Sequence, residues 1–375
     1  MQRIFLSPPH MGGEELKYIN DVFESNYIAP VGKHITYFEN EVARRFGAKG
    51  VLALSSGTAA IHLALRFLNV KADDIVLCSS LTFVGSANPI LYERAIPVFI
   101  DSEPETWNMS PVALEQAFQK YCQMDKQPKA VIAVNLYGQC ADMNAISRIC
   151  KKYDTPMIED AAESIGAKYQ NQFSGTFGEF SIFSFNGNKM ITTSGGGMLL
   201  SHNQDAINKA RYWSTQARDP VVHYEHSELG YNYRMSNVLA AIGLGQLQVL
   251  DAHIQRCRQI FNRYEKELGH IPGIDFMPEP PGYFSNRWLT VMTMAPSLES
   301  PLALINHLEE QNIESRPVWK PMHLQPLFQG TDFFPHDHHQ PVSEQLFETG
   351  ICLPSGPGMT DEEQSHVIAC ILEKI

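Results

Sequence analysis

Five short apolar runs, VLALS (51–55), DIVLCSS (74–80), IPVFID (96–101), KAVIAVNLYG (129–138) and TPMIEDAAES (155–164), each end in polar or small residues. Helix candidates separate several of them: SGTAAIHLALRFL after the first, then PVALEQAFQKYC (111–122) and MNAISRICKKY (143–153). A strand too apolar to alternate must be covered on both faces, and repeated strand–helix units cover it that way. Crossovers of one hand then bring the polar strand exits to one edge of the sheet, where α/β proteins bind ligands. The pattern predicts an α/β layer with its chemistry along that edge.

Around this layer the chain adds helices and a second unit. EELKYINDVFESNYI has helical spacing and ends before Pro30 and Gly32, and ITYFENEVARRFGA repeats the pattern up to Gly47. From about 235, MSNVLAAIGLGQLQVLDAHIQRCRQIFNRYEKEL reads as a long helix, with Gly243 or Gly245 as the place for a break. IPGIDFMPEPPGYFS (271–285) has the composition of a domain junction. A strand (WLTVMTM), a helix (SPLALINHLEEQN), a Pro/His-rich loop and a terminal helix follow, which fits a small α+β domain. We expect a large domain with an N-terminal arm over residues 1–250 and a small domain over 251–375.

Composition narrows the partners. A formal charge of −12 argues against a general nucleic-acid binder, yet leaves room for a local pocket that takes one anion. Seven cysteines without CxxC spacing read as reduced thiols of a cytoplasmic protein. No apolar run reaches membrane-spanning length, so no membrane insertion is expected. PHDHHQP (335–341) reads as a polar loop, and no metal site is expected.

Three segments carry possible chemistry. In ALSSGTAAIH, a turn containing Ser55, Ser56 and Thr58 opens a helix; it suits an anion or, equally, close packing of that helix. IEDAAES ends a strand in Glu159 and Asp160, which can face a ligand or cap the next helix. SIFSFNGNKMITTSGGGML sets Lys189 between a polar turn and a glycine-rich segment. A phosphate anchor, a carboxylate for a ring nitrogen and an amine able to form a Schiff base are the three requirements of pyridoxal phosphate.

The order SGTAAIHLAL, SSLTFVGSAN, IEDAAESIGA, FSFNGNKMITTSGGGM and LGYNYRMSNVLAAIGLGQL resembles the DegT/DnrJ/EryC1/StrS family of nucleotide-sugar aminotransferases, over nearly the whole chain. The resemblance implies a fold type I pyridoxal phosphate enzyme like aspartate aminotransferase, its large domain built on a mostly parallel seven-stranded sheet. It implies that Lys189 carries the cofactor and moves protons, that Asp160 pairs with the pyridine nitrogen and that Phe83 stacks on the ring. Ser56 or Gly57, Thr58 and Ser184 are then the phosphate contacts, with Asn186 nearby. Asn232 would reach the phosphate of a neighbouring subunit, which implies a homodimer with shared active sites. Many relatives have glutamine where this chain has Glu163, so the carboxylate marks a subtype beside the cofactor. Relatives with histidine in place of Lys189 dehydrate at C3; the lysine favours transamination.

FLSPPHMGGEELKYI, SNYIAP, YWSTQAR, HYEH, RPVWKPMH and ICLPSGPGM are similar to the bacillosamine-type branch of that family. This implies L-glutamate as amino donor and UDP-2-acetamido-2,6-dideoxy-4-keto-hexose as acceptor, with a perosamine, 4-amino-fucose or pseudaminic-pathway sugar as the alternative. Asn26, Tyr27, Arg211, Tyr212, His223, His226, Arg316, Trp319, Lys320 and His323 would surround the nucleotide sugar. Two other classes compete: an NAD-dependent oxidoreductase, weakened by the missing dinucleotide fingerprint, and a nucleotide-sugar-binding protein without catalysis.

Overall fold

The computed structural model describes residues 2–375. Helices α1 (Glu15–Glu24) and α2 (Lys33–Phe46) precede strand β1 (Gly50–Leu54). The chain then runs α3 (Gly57–Phe67), β2 (Ile75–Ser79), α4 (Val84–Tyr92), β3 (Ile96–Ile100), α5 (Pro111–Gln123), β4 (Ala130–Val134), α6 (Met143–Lys152) and β5 (Met157–Asp160). Two-residue strands β6 (Lys168–Tyr169) and β7 (Gln172–Phe173) lead to β8 (Phe180–Ser184), β9 (Gly197–Ser201), α7 (Gln204–Ser214) and α8 (Asn237–Leu268). The last third holds β10 (Ile274–Phe276), β11 (Tyr283–Phe284), β12 (Thr290–Met294), α9 (Pro301–Glu310), β13 (Arg316–Pro317), β14 (Phe333–Phe334), α10 (Val342–Thr349), β15 (Gly350–Leu353) and α11 (Asp361–Lys374). Side chains of Ser56, Ser110, Asp142, Asn203, Ser236, Ser300 and Thr360 accept from the first free amides of their helices, which sets where those helices start.

The main sheet has the order β1-β9-β8-β5-β4-β2-β3-β14. Only β9 runs against its neighbours. The expectation of seven strands is therefore one short: after leaving the small domain, Phe333 and Phe334 pair in parallel with the open edge of β3. Register aligns the site. Asp160 lies level with Val134 and Ile182, and Leu54, Gly197 and Ser184 lie level across the next three strands. Gly197 is glycine for contact: a Cβ there would run into the backbone of Ser56 and Gly57.

Helix α8 is continuous, so the expected break near Gly243 or Gly245 is absent. Both glycines serve packing. A Cβ on Gly243 would strike the ring of Phe38 in α2, and one on Gly245 would meet the Glu15 backbone of α1 at 2.9 Å. The boundary expected at 250/251 falls inside this helix. Its second half, through Ile260, Tyr264 and Leu268, joins the core formed by β10, β12, β15, α9 and α11, as does Ile4 of the N-terminal arm. Within the expected junction, β10 belongs to the small sheet β10-β12-β15-β13, whereas β11 pairs with β6 on the large domain. The seven cysteines are unpaired, and only Cys122 is exposed. No helix among the described residues is long and apolar enough to cross a membrane.

Candidate active site

The carboxyl ends of β1, β4, β5 and β8 open into a cavity of about 440 Å³. Asp160, 4% exposed, stands at its floor. The Ser86 hydroxyl donates to Asp160 Oδ2 at 2.6 Å, and the Ala162 amide donates to Oδ1 at 3.1 Å. Thr82 Oγ1 lies 2.7 Å from Ser86 Oγ and completes a hydroxyl relay. Burial pushes the Asp160 carboxyl above its ordinary range; the two hydrogen bonds and the Lys189 charge pull it back only in part. A cation beside this carboxylate would relieve that cost.

Lys189 sits in a loop between β8 and β9. Its Nζ lies 3.3 Å from Glu163 Oε1 and 4.1 Å from the centroid of the Trp288 ring. Glu163 Oε2 accepts the Tyr137 amide at 2.7 Å. That bond helps to hold Tyr137 at a φ of 52°, which a non-glycine residue adopts only when its surroundings enforce it. Burial also raises the Glu163 carboxyl, with the nearby ammonium opposing the rise.

Ser56, Gly57 and Thr58 line the cavity at the start of α3. Ser56 Oγ accepts the Ala59 amide at 3.0 Å, so its own proton stays free to donate outward. Unbonded amides and the positive end of the helix make this end of the cavity a place for an anion. Ser184 and Asn186 flank it from the end of β8. At the mouth, Phe83 is 59% exposed, and its ring centroid lies 5.9 Å from that of Trp319. Trp319 in turn packs 5.0 Å from Tyr137 and 6.4 Å from Trp288, centroid to centroid.

Eleven of the residues singled out in the sequence thus share one cavity: Ser55, Ser56, Gly57, Thr58, Phe83, Asp160, Glu163, Ser184, Asn186, Lys189 and Trp319. The others lie outside its lining. Asn232 is exposed, in a bridge to Thr215. Asn26 and Tyr27 are exposed beyond α1, Lys320 is exposed beyond Trp319, and His223 and His226 stand on an exposed loop beside Glu225 and the Gln216 carbonyl. Arg211 is held by Glu39 at 3.1 Å, Tyr212 donates to Asp219 at 2.7 Å, and Arg316 pairs with Glu314 at 2.7 Å. His323 is engaged on both nitrogens, by Ser80 at 2.6 Å and Glu344 at 3.2 Å, and stacks on Phe333. His336 of the 335–341 loop faces Ser110 at 2.8 Å, and no metal-holding group of three or more His, Cys, Asp or Glu occurs among the described residues.

Sequence reasoning missed Thr82, Ser86, Tyr137 and Trp288. Thr82 and Ser86 were legible in part, as hydroxyls four apart at the start of a helix. Tyr137 and Trp288 carry no local signal, because the contacts that matter span 26 and 100 residues.

The DegT/DnrJ/EryC1/StrS aminotransferase family matches residues 9–372. A protein of Bacillus subtilis (strain 168) named as a pyridoxal phosphate-dependent aminotransferase, EpsN, is 57% identical over 99% of this chain and 95% of its own length. GDP-perosamine synthase of Escherichia coli O157:H7 is 36% identical over 100% of this chain and 99% of its own. The crystal structure of a DegT DnrJ EryC1 StrS aminotransferase from Brucella abortus superposes with a TM-score of 0.89, at 26% identity, covering 96% of this chain and 95% of that one. The chain belongs to the DegT/DnrJ/EryC1/StrS aminotransferase family, and its cofactor is pyridoxal phosphate.

Proposed function

We propose that this chain, a sugar aminotransferase, moves the amino group of L-glutamate to C4 of UDP-2-acetamido-2,6-dideoxy-4-keto-hexose. The products are UDP-4-amino-4,6-dideoxy-N-acetyl-glucosamine and 2-oxoglutarate. One observation carries the chemistry: the Lys189 amine, the buried Asp160 carboxylate and the start of α3 open into a single cavity. Their donors and acceptors fit the three charged parts of pyridoxal phosphate. Asp160 suits a protonated ring nitrogen, Ser56, Gly57, Thr58 and Ser184 suit the phosphate, and Lys189 suits the aldehyde carbon.

When bound, the cofactor supplies an electron sink for ionising a C–H bond next to an amine. Asp160 keeps the ring nitrogen protonated by offering a full negative charge in a water-poor pocket. Lys189 Nζ takes and returns the proton at the reacting carbons of donor and acceptor, and Glu163 at 3.3 Å steadies the ammonium between transfers. Phe83 and Trp319 form an apolar wall at the mouth that suits the ring of the cofactor and the face of a sugar. In a homodimer, Asn232 of a second copy would complete the phosphate site; its exposure on this chain leaves it free to do so.

The UDP sugar rests on the segments similar to the bacillosamine-type branch. A second acceptor, the 4-keto sugar that leads to GDP-perosamine, is favoured by the full-length similarity to GDP-perosamine synthase. A panel of UDP-, GDP- and dTDP-linked 4-keto-6-deoxy sugars, incubated with glutamate and enzyme, separates them by NMR of the product. Preferential turnover of the UDP-N-acetyl sugar is expected; equal or faster turnover of a GDP or dTDP sugar overturns that assignment.

A further inference from the structure

The Lys189 loop has no helix or strand, and the bonds within it are few: the Lys189 amide donates to the Asn186 carbonyl at 3.0 Å and the Thr193 amide to the Phe185 carbonyl at 2.9 Å. It is held from outside. The Asn188 carbonyl accepts the Trp288 indole N–H at 2.6 Å and the Ser7 hydroxyl at 3.3 Å. The Met190 carbonyl lies 3.2 Å from His253 Nδ1. A carbonyl can only accept, so His253 carries its proton on Nδ1 and leaves Nε2 bare. His10 Nδ1, 3.1 Å from that Nε2, must then be the donor. Gln246, buried in α8, adds a third link: its amide donates to the His10 carbonyl at 2.9 Å and accepts from Thr192 N at 3.1 Å. Peptide carbonyls on both sides of Lys189 are thus pinned by side chains that touch or belong to the N-terminal arm and its neighbours.

The arm itself is fastened to the small domain. Ser355 N donates to the Leu6 carbonyl at 2.9 Å. Gly356 and Gly358 let the arm lie flat, since a Cβ at these positions would come within 3.0 Å of Pro8 and 2.8 Å of His10. The segments FLSPPHMGG and SGPGM, which the chemistry above leaves unused, therefore meet each other directly over the lysine loop.

We propose that the N-terminal arm is a strap, in which Ser7, His10, Gln246, His253 and Trp288 are positioning residues for the Lys189 amine. The proposal rests on Lys189 being the cofactor-bearing residue. Trp288 acts twice, through its N–H on the Asn188 carbonyl and its ring face beneath Nζ. The strap has an acid limit. Besides the Met190 carbonyl, the charged or titratable groups acting on His253 are His10 and Glu15, and burial with His10 keeps its imidazole below the ordinary range. A proton on Nε2 makes that atom a donor, and the link breaks unless His10 shifts its own proton off Nδ1.

The test uses full-length protein, as apoprotein and holoenzyme, with Trp288→Phe, His253→Phe, His253→Asn and the surface variant His10→Phe. Amide hydrogen exchange across residues 187–193 of the apoprotein is the first readout, and the kcat–KM split is the second. Trp288→Phe and His253→Phe are expected to speed that exchange by about 10-fold and lower kcat by about as much, with KM for the nucleotide sugar within about twofold. His253→Asn, whose amide can still donate to Met190, is expected to restore protection. His10→Phe should shift the acid onset of faster exchange without changing the fold. Exchange and kcat within twofold of wild type in His253→Phe, or an acid onset left where it was in His10→Phe, would overturn the strap. Borohydride reduction of the wild-type holoenzyme separately reports whether the cofactor is on Lys189; if it is not, the cofactor reading fails while the exchange data still judge the strap.

Discussion

Asp160→Asn is the sharpest test of the site, because it should act with opposite signs on the two forms of the protein. Without a ligand, the Asp160 charge is costly: it is buried and receives only a hydroxyl and an amide. Asparagine can keep both bonds. Its Oδ1 accepts from Ala162, its Nδ2 donates to Ser86, and Ser86 turns to donate to Thr82. The apoprotein variant should therefore melt no lower than wild type. The pH dependence follows. A carboxyl raised above its unfolded value destabilises the apoprotein at neutral pH, and the cost fades as pH falls through the raised value toward the ordinary one. The variant should lose this acid-side gain. With the cofactor the sign reverses. A hydrogen bond between two charged groups contributes roughly 1.5–3 kcal/mol, so its loss should weaken pyridoxal phosphate binding by about 10- to 150-fold. Losing the preorganised charge should lower kcat by roughly 10²-fold or more. Apoprotein titrated with cofactor, read by tryptophan fluorescence, and melting curves of both forms measure these effects. Unchanged cofactor affinity, or equal destabilisation of both forms, would refute the reasoning.

Gly197→Ala should push the Ser56–Gly57 turn off β9, weakening cofactor binding by about 1–3 kcal/mol, and titration with inorganic phosphate would show whether the α3 end is what moved. Glu163→Ala leaves the Tyr137 amide buried without an acceptor and should cost about 1–3 kcal/mol in urea unfolding, whereas Glu163→Gln keeps an acceptor and should cost less. If Asn232 completes the neighbour's site, Lys189→Ala and Asn232→Ala chains, each nearly inactive alone, should regain activity when refolded together; no recovery in verified mixed dimers would remove Asn232 from the site.

The parts of the site legible from sequence are those fixed by local rules. Asp160 ends an apolar strand, and such strands deliver their last residues to one sheet edge. Ser56 opens a helix and must bond its free amides. Lys189 stood out as a charge where neither strand nor helix explained it. What escaped reading depends on distant pairing. β14 has only two residues and thus no periodicity, and its place beside β3 follows from where the chain returns. Gly243 and Gly245 look like helix breakers, because nothing local reveals that Phe38 and Glu15 need the room. Arg211 and His323, which the resemblance implies as ligand contacts, are held in this chain by Glu39 of α2 and by Ser80 just past β2 with Glu344 of α10, pairings that no local pattern reveals.

The charges of the cavity explain why these parts occur together. Asp160 and Glu163 are both buried carboxylates held above their ordinary range, and Lys189, 3.3 Å from Glu163, is the cation that opposes both rises. If both carboxyls ionise, the floor carries one negative charge in excess, so a neutral or anionic group would bind there poorly. The start of α3 has the reverse preference. A ligand that is positive at one end and doubly negative at the other satisfies both ends at once, and one lacking either charge satisfies neither fully. The pocket therefore selects by charge separation as much as by shape. A cofactor of that charge pattern, bound here, would remove a cost that folding alone leaves in place and so couple the protein's stability to its cofactor.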